Sequence, residues 1–171
     1  MMCSLGYRYR LSPTRPAKLC SSCIGLPGRR TMPRIAHCCC GSLRVETTGE
    51  PAIVAACHCR ECQRRTGAPY GVSVYFEKTQ VRPEGASKVY TRNGQEGRKL
   101  RFHFCPDCGT TVYWEADFRP DQIGVALGAF ADPAFPAPTR SAWEESRHSW
   151  VVFGHDLVQF PQAPPVPRPG T

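Results

Sequence analysis

FCPDCGTTV, residues 104–112, places two cysteines three positions apart, with a proline between them and a glycine directly after. This is the form of a zinc knuckle. Pro106 fixes the turn, Cys105 and Cys108 converge on one ion, and Gly109 tolerates a positive φ and close backbone approach. A knuckle supplies two ligands of a tetrahedral site, so the rest of the chain has to supply more. Two other runs are candidates: HCCCGSLRV (37–45), with Cys38 and Cys40, and ACHCREC (56–62), with Cys57, Cys59 and Cys62. A closed structural zinc takes four protein ligands, and a working zinc keeps one position open. Seven cysteines divide naturally into four and three.

The four-ligand set is expected to be Cys38, Cys40, Cys105 and Cys108. Read as a strand, residues 38–40 turn Cys38 and Cys40 to one side and send Cys39 into the core as a small apolar residue. The three-ligand set is Cys57, Cys59 and Cys62, at a strand end running into a short helix. That helix start, with Arg60, Arg64 and Arg65 nearby, favours thiolates. A fourth position is then free for water, a substrate thiol or a carbonyl oxygen. His58, between two cysteines of an extended segment, is expected to point the other way. Two alternatives stand beside this division: zinc that is structural throughout, with His58 or His37 completing the second site, or a metal-free redox cluster at 57/59/62.

The chain of 171 residues is 41% hydrophobic, as expected of one globular domain with a real core. No apolar stretch has the length of a membrane span, and MMCSLGYRYRLSPTRPAKL has no continuous signal-peptide core. Eleven cysteines then argue for metal and thiol chemistry in a reducing, cytoplasmic setting. Six of the 22 basic residues fall in residues 1–31, which have no acidic residue. The other 16 face 14 acidic side chains, so the net charge of +8 belongs mostly to that arm. Nucleic acid is therefore expected to bind, if at all, through the arm.

Residues 1–33 are read as a disordered basic extension, with Met32 the favoured start and a targeting or interaction arm the alternative. Cys20 and Cys23 within it form a C-x-x-C pair without a matching second pair. The domain runs over 34–161, and 162–171 is a proline-rich tail. Between the ends, short β-branched and aromatic runs predict strands at 41–46, 52–57, 70–77, 88–92, 99–104, 110–115, 122–128, 149–153 and 157–160. Turns are expected at Gly67-Ala68-Pro69, Glu84-Gly85 and Asn93-Gly94. One short helix is expected over 59–66. The fold class is mainly β, an antiparallel sheet with one helix.

The ordered set CCCGSLRVE (38–46), CHCRECQRRTGAPYGVSVYF (57–76), RFHFCPDCGTTVYW (101–114), VALGAFADP (125–133) and WEESRHSW (143–150) resembles the glutathione-dependent formaldehyde-activating enzymes, a family that includes centromere protein V. The resemblance covers about residues 34–160. It implies a β-tent fold with two Zn2+ ions, a structural one on Cys38, Cys40, Cys105 and Cys108 and a catalytic one on Cys57, Cys59 and Cys62. It further implies a carbon–sulfur lyase activity that joins glutathione, a small thiol, to formaldehyde, a small electrophile. Where such proteins often carry a histidine nine residues before the late tryptophan, this chain has Ser141 before Trp150. The competing reading is a zinc-stabilised binding module without catalysis, whose basic arm contacts nucleic acid or protein. Tyr70, Tyr75, Phe76, Phe102, Tyr113, Trp114, Trp143 and Trp150 are expected in the core and pocket walls. Glu61 and Asp107 are read as solvated surface groups.

Overall fold

A computed structural model describes residues 32–94 and 97–165. The Cys20/Cys23 pair, the basic arm to Thr31 and the last six residues lie outside the described residues. Among the described residues eleven strands form two sheets. β1 (Arg34–His37), β2 (Arg44–Thr47) and β5 (Val81–Glu84) make a three-stranded antiparallel sheet. The larger sheet has eight strands in the order β11-β10-β3-β4-β9-β8-β7-β6. These are β3 (Ile53–Cys57), β4 (Gly71–Glu77), β6 (Lys88–Asn93), β7 (Lys99–Phe104), β8 (Thr111–Ala116), β9 (Gln122–Ala126), β10 (Arg140–Ala142) and β11 (Val158–Phe160). From β3 to β6 every pairing is antiparallel, as expected. At the other edge β10 runs parallel to both β3 and β11. The protein is mainly β, with one α-helix, α1 (Arg60–Thr66), among the described residues.

The large sheet separates the core from the site by simple alternation. Along a strand, neighbouring side chains face opposite ways. Val54 of β3 and Val74 and Phe76 of β4 face the small sheet, where they pack with Ala36, Leu43 and Val45 in one buried cluster. Ile53, Ala55, Ser73 and Tyr75, the intervening residues, line a cavity on the opposite face. Fully burying a side chain such as Phe76 contributes about 1.5–3 kcal/mol. The core that holds the two sheets together is thus built from every second residue of the strands that shape the cavity.

Trp114 on β8 faces the cavity, and a smaller buried cluster of Leu100, Phe102, Trp114 and Ala116 supports that wall. Gly124 is its register partner on β9. A Cβ at Gly124 would stand 2.3 Å from the indole Nε1, so the wide ring lies where only glycine leaves room.

Several sequence expectations change. The segment 149–153 is not a strand. Val151 N–H donates to His148 O at 3.0 Å, and the Arg147 guanidinium donates to Val151 O, so local bonds replace a ladder there. Trp150 in that segment is 66% exposed, not part of a wall. Residues 38–41 form a turn, not the start of a strand, with Gly41 N–H donating to Cys38 O at 3.0 Å. Strand alternation therefore does not apply, and Cys39 is exposed while Cys38 takes the buried position. β9 also ends at Ala126, where a 3-10 turn over Leu127–Phe130 begins.

Candidate metal centre

Two tight turns from distant parts of the chain meet at the first cysteine cluster. In one, Cys38 N–H donates to Leu43 O at 2.9 Å; in the other, Cys105 N–H donates to Thr110 O at 3.0 Å. Gly41 and Gly109 close these turns at φ of 81° and 73°. Nothing lies within 4 Å of a Cβ built on either glycine, so backbone conformation and not close approach requires them. The sulphurs of Cys38 and Cys40 are 3.4 Å apart, and those of Cys40 and Cys105 are 3.6 Å apart. All four sulphurs, with Cys108, lie within 4.8 Å of one another. A tetrahedral zinc with sulphur at 2.3 Å separates its ligands by about 3.8 Å. The four thiols fit that ion.

The second cluster forms where β3 runs into α1. Cys57 ends the strand, Cys59 caps the helix, and Cys62 lies in its first turn. The Cys62 N–H donates to Cys59 Sγ at 3.3 Å, which points that sulphur back across the helix start. The three sulphurs lie within 4.8 Å of one another. Among themselves the thiols do not ionise alike. Hydrogen bonds from Cys57 and Cys62 hold Cys59 down to about 2, while the bond Cys57 gives to Cys59 pushes the Cys57 thiol up. Thiolates this close repel one another, and a bound cation is what would let all three ionise.

His58 points away from this trio, as its place between two cysteines implies. Its ring is fully buried, with the Tyr70 and Phe153 ring centroids 5.3 and 6.1 Å away. Neither ring nitrogen has a hydrogen-bond partner, and Glu144 Oε1 stands 3.7 Å from Nε2. Burial holds its pKa below the usual value, against the pull of Glu144. Ser141 is buried and donates to Glu144, so it belongs to this packing layer. His37 is exposed and stands outside both clusters. Glu61 is exposed and pairs with Arg64 at 2.6 Å. Asp107 is exposed too, as a solvated surface group should be.

Of three residues that seat α1, two carried no sequence signal. Gly71, opposite Cys57 on β4, lies under the helix: a Cβ there would stand 3.0 Å from Arg65 Nη2 and 3.7 Å from Cys62 Cβ. Gln63 ties α1 down by donating to His58 O at 2.7 Å and Ser146 O at 3.1 Å. At the far end Gly67 adopts φ 64° and closes the helix by donating to Gln63 O. Only the last of these, a glycine before Ala68-Pro69, was legible as a stop.

The second cluster opens on the cavity, whose volume is ≈ 1130 Å³. Cys57, Cys59 and Cys62 form part of its wall, and Tyr75, Phe102, Trp114 and Trp143 supply aromatic surface. Trp143 holds a positive φ of 61°, an unusual conformation for a bulky residue and a local strain at the rim. The first cluster is remote from this space: none of its four cysteines lines the cavity.

Fold and site together define a mainly β protein with two cysteine centres, one facing the core and one opening on a cavity. The family model for glutathione-dependent formaldehyde-activating enzymes matches residues 33–149, and the chain belongs to that family. A crystal structure of a Rhodobacter sphaeroides protein is similar at 22% identity, over 56% of this chain and 85% of that one, with a TM-score of 0.45. No curated protein matches the chain. Among the described residues no helix is long and apolar enough to cross a membrane.

Proposed function

We propose that the protein is a zinc-dependent carbon–sulfur lyase that forms and breaks thiol–aldehyde adducts, with glutathione and formaldehyde as the reference pair. One observation carries this reading: of two thiol clusters, the three-membered one alone lies in the cavity wall. Cys38, Cys40, Cys105 and Cys108 would hold a structural Zn2+, and Cys57, Cys59 and Cys62 a catalytic one. Zinc in a three-thiolate site supplies a Lewis acid with one position open to a thiol or a carbonyl oxygen.

The chain's own contribution is placement. α1 and the end of β3 fix the three sulphurs in the wall of the cavity, and Gly71 and Gln63 hold the helix there. The cavity walls confine the reacting groups together, which converts a bimolecular encounter into a local one. In the reaction the thiol sulphur bonds to the aldehyde carbon while the carbonyl π pair moves to oxygen. The proton lost by sulphur balances the one gained by oxygen, so no side chain needs to supply or keep one. Ser141 is buried in the layer that holds Glu144 beside His58 and is not part of the cavity wall.

Exchange NMR of an equilibrium glutathione–formaldehyde mixture tests the proposal. The zinc-loaded chain should accelerate exchange between free and adduct formaldehyde, and Cys59→Ser should abolish the acceleration. A two-zinc protein that leaves the exchange rate at its uncatalysed value removes this activity.

A further inference from the structure

Arginine is divided sharply by position in this protein. Outside the cavity, Arg34, Arg44, Arg64, Arg82, Arg101 and Arg147 each face a carboxylate in an ion pair. Six others line the cavity: Arg60, Arg65, Arg92, Arg98, Arg119 and Arg140. None of Arg60, Arg65, Arg92, Arg119 and Arg140 has an ion-pair partner among the described residues. Of the two carboxylates of the cavity wall, Glu61 pairs with Arg64 outside it, and Glu145, which accepts from the neutral Gln162 at 3.3 Å, leaves a single negative charge against six arginines. Residues 32–171 carry nearly balanced charge, so this concentration is local to the cavity.

Arg65, Arg92 and Arg119 are held on aromatic rings and not by carboxylates. Arg65 lies over the Phe102 and Trp114 rings at 5.2 and 4.9 Å, and Arg92 lies 5.7 Å from the same Phe102 ring. Arg119 stacks on Tyr75 at 4.7 Å. Ring faces fix a guanidinium by its plane and leave N–H groups at its edge for an oxyanion; Arg119 donates one of these to Gln122 Oε1 at 2.9 Å. The Nε atoms of Arg65 and Arg140 are buried and have no partner. Like charges gathered in one cavity repel, and buried donors without acceptors cost free energy; a bound polyanion offsets both.

Glutathione fills this description poorly. Its two carboxylates are partly cancelled by its ammonium, and a tripeptide occupies only part of ≈ 1130 Å³, more than a drug-sized ligand needs. We infer that the cavity binds a larger, phosphate-bearing thiol, with its phosphates on the arginine wall and its sulphur toward Cys57, Cys59 and Cys62. The thiol end rests on the zinc reading above; the anionic end does not. Phosphate suits this wall because guanidinium forks match its oxygens in pairs and each phosphate monoester carries up to two charges.

Calorimetry on the zinc-loaded full chain tests this with coenzyme A, glutathione and the thiol-free adenosine 3′,5′-bisphosphate. Coenzyme A should bind at least about tenfold more tightly than glutathione, and its affinity should fall steeply with salt. Arg92→Gln and Arg140→Gln should each weaken both phosphate ligands about tenfold. Arg82→Gln, which removes the same charge from the other sheet, should leave them unchanged. Cys59→Ser should retain the bisphosphate, which places the phosphates on arginine and not on the metal. Bisphosphate binding lost in the arginine variants supports the inference even if no thiol reaches the metal and the zinc reading fails. Equal affinities for coenzyme A and glutathione overturn it, as does phosphate binding that both arginine variants retain.

Discussion

At the scale of single residues, the cavity depends on positions chosen for what they lack. Gly124 leaves space for the Trp114 indole, with a Cβ only 2.3 Å from Nε1 if one were present. Gly124→Ala should therefore lower stability by about 1–3 kcal/mol, the usual cost of overpacking, read by denaturant unfolding. The same variant should quench or shift Trp114 fluorescence, because the ring must move. Gly71→Ala should act differently. Its Cβ would press on Arg65 and approach Cys62, so the expected loss is in metal retention at 57/59/62, measured by zinc content, with a smaller loss of stability. Neither position stood out in the sequence, because a close approach between strands appears only once register is known. Cys39 makes the reverse point. Its spacing fitted a strand and a buried side chain, yet a turn closed by Gly41 leaves it exposed. Cys39→Ser should consequently leave both zinc content and unfolding midpoint close to those of the native chain.

Among elements, most of the large sheet was readable from short β-branched and aromatic runs bounded by turn residues. Strands expected at 52–57, 70–77, 99–104 and 110–115 match β3, β4, β7 and β8 within a residue or two, and α1 lies within the expected 59–66. These segments are rich in β-branched and aromatic residues or end at a sharp stop, and Phe76 shows what such residues do in the fold. It is fully buried between the sheets, so Phe76→Ala should cost about 3–5 kcal/mol in thermal or denaturant unfolding. β1, β5 and β10 had no such pattern. β10 is three residues long and pairs in parallel through Ala142 with Cys57, a partner far away in sequence. The β7–β8 hairpin carries a pH signature. Asp117 accepts from the Lys99 N–H at 2.9 Å and from Arg101 at 2.9 Å, and the Lys99 bond chiefly lowers its pKa. A carboxyl depressed in the folded state stabilises above its unfolded pKa of about 3.9, and that contribution is lost as pH falls through the folded value. NMR titration should place the Asp117 midpoint below that of an unstructured aspartate, with faster Lys99 amide exchange as it protonates.

Over the whole molecule, two sheets are joined by a core and by a four-thiol cluster whose two cysteine pairs lie 65 or more residues apart in sequence. Metal at Cys38, Cys40, Cys105 and Cys108 would couple folding to binding, because the unfolded chain has no such site. Removal by a strong chelator should lower the unfolding temperature sharply, and Cys105→Ser should do so without one. Cys59→Ser should spare the melting temperature and affect only the cavity. The division of seven cysteines was legible from spacing because ligand sets are local in pairs. The arginine wall was not, since Arg65, Arg92, Arg119 and Arg140 come from four separate segments that only the fold unites. The most direct measurement is the absorption spectrum of the cobalt-substituted chain during titration with glutathione. An open three-thiolate centre predicts that the visible bands of one of two cobalt ions shift with added thiol, and that Cys59→Ser removes that response. Two tetrathiolate-like spectra, unmoved by any thiol, would contradict it.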